Sequence, residues 1–244
     1  MKQITYLALL ALATIPSLSF AQDGYQLSAI KPEVVFTPKG FDSNDNAQVV
    51  LYGRFSDVCH RVAQPSYSVD QAKHRVYIQN RVYTKPLCVE ILVSEPYTVV
   101  INLDALPKGN YDVFVSDDKG IYSKTAVLPI AQAKSPEAVD DYLYAQINYA
   151  QVSDPGSTLT QVTVRGTIHN TCLGLKDVSV SLSPGNVYDV LPIMEITHQA
   201  NCQMMDTPFE KTVTLSNLPA APALLNIRSA GGQSIEKVID QRIF

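Results

Sequence analysis

Apolar and polar residues alternate along much of the chain, which is the pattern of strands with one buried and one exposed face. The alternation is clearest at residues 49–55, and residues 162–168 repeat it. Further short runs are rich in Val, Ile and Tyr and are separated by prolines or glycines; they span residues 76–78, 88–93, 97–103 and 111–115. Short strands at close spacing, with turn residues between them, predict an all-β fold built as β-sandwiches.

The strand pattern occurs twice, at an almost constant shift along the chain. Residues 49–59 match residues 162–172 at a shift of 113, including a glycine and a cysteine in each segment. Cys88 and Cys202 follow at a shift of 114. Agreement of this kind is improbable by chance, so the sequence predicts two copies of one domain.

A polar stretch that contains one proline separates the two copies, at residues 132–141. It lacks strand periodicity, which is typical of a linker. We therefore predict a first sandwich domain at residues 22–131 and a second at residues 142–244, arranged like beads on a string. Each copy is predicted to begin with a strand, near residues 25–36 in the first copy and 143–149 in the second. For the second copy the alternative is a short helix that is capped at residues 135–137.

The N-terminus has the pattern of a secretory signal peptide. Lys2 is followed by an apolar run at residues 4–15, and small residues flank Phe20 at Ser19 and Ala21. This pattern predicts a signal peptide at residues 1–21 that is cleaved after Ala21. The run is shorter than the roughly 20 residues that cross a bilayer, so a membrane anchor is not favoured. We expect a periplasmic or secreted protein with no transmembrane segment in the mature chain.

Composition and charge narrow the possible classes of protein. The chain of 244 residues is 46% hydrophobic and 17% charged, which argues against intrinsic disorder. Its formal net charge of −4 argues against nucleic acid as a partner.

The four cysteines carry the strongest local chemistry. In a secreted chain an even number of cysteines indicates disulfides, and four cysteines allow three pairings. The duplication selects Cys59 with Cys88 and Cys172 with Cys202, one bond inside each copy. A redox pair or a metal site is the alternative, but the chain has no C-x-x-C motif.

The second copy carries a recognisable set of residues. A V-x-V-x-G strand leads to Cys172, and Cys202 is followed by Pro208-Phe209-Glu210 and Leu218-Pro219. This arrangement resembles a small immunoglobulin-like module of uncharacterised bacterial secreted and cell-envelope proteins, here in two tandem copies. The first copy is similar more loosely, with Glu95-Pro96-Tyr97 near the Pro-Phe-Glu position. The resemblance implies two tandem immunoglobulin-like β-sandwich domains and an envelope or extracellular location, and it brings no catalytic residue.

Two local motifs lead to separate structural expectations. The run from Leu106-Pro107 to Tyr111 predicts a tyrosine corner, in which the phenol hydroxyl bonds back to the backbone. The run from Asp42 to Asn46 resembles the start of a calcium loop, with oxygen side chains at alternate positions. Ala47 and Gly53 stand where an EF-hand needs glycine and glutamate, so we interpret the run as a polar turn. The paired acids at residues 117–118 and 140–141 are interpreted as solvated.

Little else indicates catalysis. The histidines are not equivalent between the copies and form no H-E-x-x-H motif; they are His60, His74, His169 and His198. A nucleophile elbow, a P-loop and a dinucleotide fingerprint are also missing from the sequence. We predict no catalytic, cofactor-binding or metal-ligating residue, and we expect that the protein is not an enzyme.

Three functions remain open. The first is a non-catalytic binding or structural module of the cell envelope, whose partner is another envelope or extracellular protein. The second is a secreted inhibitor of a protease or other hydrolase, presenting a segment pinned by a disulfide at residues 59–88 or 172–202. Met204 and Met205, which follow the second segment, are interpreted as fillers of gaps in the core. The third is a hydrolase with a non-standard site.

Overall fold

The computed structural model describes residues 24–89, 91–135, 140, 142–153, 160–197, 201–216 and 218–243. The predicted signal peptide at residues 1–21 lies outside this part of the chain. The described strands are β1 Gln26–Ala29, β2 Val34–Phe36, β3 Gln48–Asp57, β4 His60–Asp70, β5 Arg75–Thr84, β6 Leu92–Asn102, β7 Gly109–Ser116, β8 Tyr122–Ile130, β9 Gln146–Ser153, β10 Gln161–Asn170, β11 Leu173–Ser183, β12 Val187–Ile196, β13 Met204–Thr214, β14 Ala223–Ser229 and β15 Gln233–Ile239.

Helical structure in the described ranges is limited to two single 3₁₀ turns, Gln71–Lys73 and Gln241–Ile243. No helix within those ranges is long and apolar enough to cross a membrane. The prediction of an all-β fold is confirmed.

The strands form four sheets, two in each half of the chain. In the N-terminal half, β2-β3-β6 is a three-stranded sheet, and β4-β5-β7-β8 is a second sheet to which β1 adds at the end of β5. In the C-terminal half, β9-β10-β13 and β11-β12-β14-β15 have the same order. The parallel pair β5–β7 aligns Arg75 with Asp112, and β12–β14 aligns Val187 with Leu224, so the register also repeats at a shift of 112 residues.

This order departs from the antibody-type arrangement in one respect. Counted from β2 in the N-terminal half and from β9 in the C-terminal half, the fourth strands are β5 and β12. Each fourth strand lies between the third strand, β4 or β11, and the sixth strand, β7 or β14, and runs parallel to the sixth. In an antibody constant domain the fourth strand belongs to the other sheet, beside the fifth. The described sheets therefore form two copies of one strand order that differs from the antibody type.

Each half has a hydrophobic core of its own, contributed by both of its sheets. In the N-terminal half, Val49 and Leu51 of β3 belong to one buried cluster with Val76 of β5. In the C-terminal half, Val164 of β10 is buried in a cluster with Leu225 of β14. The residues that alternate in the sequence at 49–55 and 162–168 thus face these cores, as the pattern predicts.

A glycine beneath an aromatic ring explains part of the repeated motif. Gly53 pairs across the strands with Tyr97, and Gly166 pairs with Phe209. In each pair the ring occupies the space that a Cβ at the glycine would need. Pro96 and Pro208 precede the two rings on β6 and β13, which are the outermost strands of their sheets. Proline on an edge strand hinders pairing with a further strand.

The two halves pack together, so the expectation of independent beads is wrong. A third buried cluster joins Phe36, Val50 and Tyr52 of the N-terminal half to Val187 and Leu224 of the C-terminal half. The physical reason lies in β3, whose second face is also apolar. The C-terminal half covers that face, and both faces of this strand are buried.

The tyrosine-corner prediction is also wrong. The ring of Tyr111 is fully buried against His74, with 4.9 Å between the ring centroids. Its hydroxyl has no hydrogen-bond partner among the described residues. In the C-terminal half a different tyrosine, Tyr188, donates to the backbone carbonyl of Ser216 at 3.0 Å.

Candidate functional site

Each disulfide lies where the chain crosses twice between the sheets of one half. Cys59 and Cys88 are bonded with 5.7 Å between their Cα atoms, and Cys172 and Cys202 with 5.2 Å. The first bond joins the β3–β4 turn to the β5–β6 loop, and the second joins the β10–β11 turn to the β12–β13 loop. Both predicted pairings are confirmed.

Backbone and side-chain hydrogen bonds hold the disulfide-bonded turns. Asp57 Oδ1 accepts from the amide of Cys59 at 2.8 Å, and Asn170 Oδ1 accepts from the amide of Cys172 at 2.8 Å. The carbonyl of Cys59 also accepts from the amide of Lys85 at 3.0 Å. These contacts fix the start of the loop that follows β5.

That loop presents a set of exposed apolar side chains, which we call the N-terminal tip: Leu87, Val89, Ile91 and Leu92. Leu87 is 94% exposed, Val89 81% and Leu92 83%. Isolated exposed apolar residues are common, but four within six positions form a patch that marks interaction sites in soluble proteins. The disulfide pins the middle of this patch at Cys88.

The equivalent end of the C-terminal half carries a smaller set, the C-terminal tip: Ile196, Met204 and Met205. Ile196 is 69% exposed and Met204 81%. The expectation that Met204 and Met205 fill gaps in the core is wrong, because they begin β13 beyond the buried part of the sheet. Both disulfide ends therefore carry apolar side chains in solvent.

The contacts between the halves show that the two tips point in opposite directions. The chain runs from Asp45 into β3, past Tyr52 and on toward the N-terminal tip. Asp45 contacts Arg228 near the end of β14, and Tyr52 contacts Asp240 beside the start of β14. Strand β12 is parallel to β14 and leads to the C-terminal tip. We call the contact surface between the halves the joint; it includes the shared buried cluster and the contacts Asp45–Arg228 and Tyr52–Asp240. The joint therefore sets the tips at opposite ends of the molecule.

One end of the joint is a buried hydrogen-bonded network. Tyr52 donates to Asp240 Oδ2 at 2.8 Å, and Arg242 donates to both oxygens of the same carboxylate. Arg242 also reaches Glu33 Oε2 at 3.0 Å. The hydrogen bonds from Arg242 lower the pKa of Asp240 to about 2, and burial raises the pKa of the Tyr52 phenol. The Asp240 carboxylate is therefore ionised at neutral pH and holds groups from both halves.

The other end of the joint contains the acidic run that resembles a calcium loop. Asp45 is 3% exposed, and its Oδ2 accepts from Arg228 Nη2 at 3.3 Å. Burial raises the pKa of Asp45, and the Arg228 guanidinium opposes this rise. Asp42 Oδ1 caps the amide of Asn44 at 3.1 Å. The run is a turn, as interpreted, and its two aspartates are buried at the joint.

The paired acids have different positions. Asp117 lies in the β7–β8 turn and accepts from the amides of Lys119 and Ile121, as expected of a turn residue. Asp140 does not simply face solvent, because it accepts from the amides of Gly231 and Gly232 at 2.8 and 3.0 Å. This contact fastens the segment between the halves to the β14–β15 turn. Asp141 lies outside the described residues.

The described histidines form no common centre. His60 Nδ1 lies 2.7 Å from Asp57 Oδ1, and His169 Nδ1 lies 2.6 Å from Asp206 Oδ1. His74 takes a left-handed backbone conformation with φ 48° at the turn before β5. His198 falls outside the described part of the chain. Within that part, no group of three or more His, Cys, Asp or Glu side chains is placed to hold a metal ion.

Sequence reasoning missed the exposure of the N-terminal tip. The run at residues 88–93 predicts a strand, because short runs rich in Val, Ile and Tyr are typical of strands. The structure begins β6 only at Leu92 and leaves the preceding apolar residues in a loop. The available signal was Pro86, which ends β5 close to an apolar run that has no regular alternation.

Comparison with known proteins adds no relative. No protein-family model matches the chain, and neither a curated protein nor a solved structure matches it. The function is therefore inferred from the contacts and exposure of this chain's own residues.

Proposed function

We propose that the protein is a non-catalytic binding module of the cell envelope that engages another protein through the N-terminal tip. The observation that carries this proposal is the exposure of Leu87 and Val89, on a loop pinned by a disulfide, and of Leu92 at the start of β6, each at least 81% exposed. Burying such side chains against a partner stabilises a complex by about 25 cal/mol per Å² of apolar surface. A loop that a disulfide already restrains at Cys88 loses less conformational freedom on binding than an unrestrained one.

The proposal includes the architecture and the location. It describes the chain as two tandem immunoglobulin-like sandwich domains, at residues 22–131 and 142–244, joined by the linker 132–141. Separate cores and a repeated strand order support two domains of one kind. Two disulfides support the periplasmic or secreted location that the predicted signal peptide implies.

Inhibition of a hydrolase is a second candidate for the same loop. Leu87, 94% exposed, directly precedes the disulfide-bonded Cys88. An apolar side chain held out on a rigid loop suits insertion into a protease pocket. Stoichiometric protection of a protease substrate by the purified protein would favour this function over an assembly role, and Leu87→Asp would then abolish the protection.

Affinity capture with matched variants tests the binding proposal. The tagged wild-type protein and the double variant Leu87→Asp/Leu92→Asp are used to capture proteins from the organism's own envelope fraction, followed by quantitative mass spectrometry. We expect a partner that the wild type retains and the double variant loses at least about tenfold, because a charge in an apolar contact costs well over 1.4 kcal/mol.

The control variant places the same charge on an apolar residue outside the tip. Ile121 is 63% exposed at the β7–β8 turn of the same half, so Ile121→Asp is expected to retain the partner. A partner held equally by the wild type and the double variant would refute the role of the tip.

A further inference from the structure

A cleft lies at the Asp45 end of the joint and is built by both halves. Its volume is about 170 Å³, and its lining includes Lys39 from the N-terminal half and Asp189 and Arg228 from the C-terminal half. Tyr142 and Tyr144, from the stretch that precedes β9, also line it. We call this feature the joint cleft. Arg228, one of its lining residues, forms an ion pair with Asp45 across the two halves.

The two tyrosines differ in exposure. Tyr144 is 5% exposed, and the Arg228 guanidinium lies 5.9 Å from its ring centroid, so this wall is covered and fixed. Tyr142 is 55% exposed, with its ring centroid 6.0 Å from that of Tyr144. An amphipathic ring that is half in solvent at the mouth of a cleft offers a stacking surface. The chain has no tryptophan, so tyrosine is the largest ring it has for this purpose.

The polar groups of the cleft both donate and accept hydrogen bonds. Asp189 accepts from Asn226 Nδ2 at 2.9 Å and from Ser183 Oγ at 2.7 Å, and each of its oxygens has a further lone pair. Arg228 is 4% exposed, and its Nη1 has no hydrogen-bond partner among the described residues. A buried donor left unpaired is unfavourable, and a ligand oxygen would satisfy it.

The charged side chains that line the cleft are of both signs. Arg228 pairs with Asp45 at 3.3 Å, and Lys39 and Asp189 contribute one charge of each sign to the lining. Hydrogen-bond donors and acceptors beside an exposed ring suit a neutral molecule with many hydroxyl groups and an apolar face.

We propose that the joint cleft binds one neutral pyranose ring of a glycan, stacked on Tyr142 and hydrogen-bonded to Asp189 and Lys39. A sugar ring offers C–H groups on one face and hydroxyls around its edge, which match the ring and the polar groups of the cleft. This site is separate from the N-terminal tip, so its failure would leave the protein-binding proposal untouched.

Titration of the intact protein with defined disaccharides tests the proposal. The probes are cellobiose, maltose and N,N′-diacetylchitobiose as neutral sugars, with digalacturonic acid as the anionic one, and binding is followed by NMR chemical shifts. We expect at least one neutral disaccharide to bind. Tyr142→Ala should weaken that binding about three- to tenfold, as loss of an aromatic contact does, while Tyr142→Phe retains it.

The matched control is Tyr149→Ala, which removes a ring that is 47% exposed on β9 and is not part of the cleft lining. It should bind the disaccharide like the wild type. Three results would overturn the proposal: no binding of any neutral probe, equal weakening by Tyr149→Ala, or a clear preference for digalacturonic acid.

Discussion

The side chain of Asp240 forms hydrogen bonds with residues of both halves. The carboxylate accepts hydrogen bonds from Tyr52 and Arg242, and its own side chain is fully buried. Neither contact is visible in the sequence, because Tyr52 and Asp240 are 188 residues apart. The alternating pattern around residue 52 predicted only that its side chain would lie on the face opposite the core of its own half.

The lowered pKa of Asp240 predicts a specific dependence of stability on pH. Because its pKa in the folded protein, about 2, lies below the ordinary value of 3.8, the stabilisation is complete above about pH 4. It is lost as the pH falls from about 4 to 2, when the carboxylate becomes protonated in the folded protein too. Urea denaturation across this range should show a steeper loss of unfolding free energy for the wild type than for Asp240→Asn.

The asparagine variant retains the size of the side chain and removes its titration. At pH 6 it should be less stable than the wild type by about 1–3 kcal/mol, because Arg242 and Tyr52 lose a charged acceptor. Parallel pH profiles for the two proteins would contradict the role of Asp240.

At the scale of the element, the strands and disulfides follow from the sequence more directly than the loops do. The alternation of apolar and polar residues predicts strands β3 and β10, and the repeated spacing of the cysteines within each copy predicts the two disulfides. The strand order within a sheet does not follow from the sequence. The two neighbours of β5, antiparallel β4 and parallel β7, have the same pattern of a strand in the sequence. The exposed tip was missed for a related reason: an apolar run does not reveal whether another strand covers it.

The disulfide pairing predicts a selective effect on thiol chemistry. Cys59→Ser should free only Cys88 to alkylation under native conditions, because the other bond lies in the C-terminal half. The variant should also be destabilised by roughly 3–4 kcal/mol, the value of the chain-entropy model for a loop of this size. Peptide mapping after alkylation measures the first effect and urea denaturation the second; a label on Cys172 or Cys202 would contradict the pairing.

At the scale of the whole molecule, the buried joint predicts cooperative unfolding. Val50 and Leu224 are each fully buried between the halves, so neither half exposes its joint face until the contact breaks. The wild type should therefore unfold in a single calorimetric transition. Leu224→Asp places a charge in this contact and should separate the unfolding of the two halves into two transitions.

The matched substitution on an exposed strand position is Leu182→Asp, at a residue that is 51% exposed on β11. It should leave the single transition intact. Two transitions in the wild type would show that the halves unfold independently. The sequence did not predict this joint, because its apolar residues also satisfy the pattern of ordinary strands.

The buried joint sets one apolar tip at each end of the molecule, and we propose that the N-terminal tip contacts a protein partner. Photo-crosslinking in the native envelope tests this contact most directly, with Leu92→p-benzoyl-phenylalanine at the tip and Ile121→p-benzoyl-phenylalanine as the control. We predict a discrete higher-mass adduct at position 92 and none at position 121. No adduct at position 92, or the same adducts at both positions, would contradict the claim.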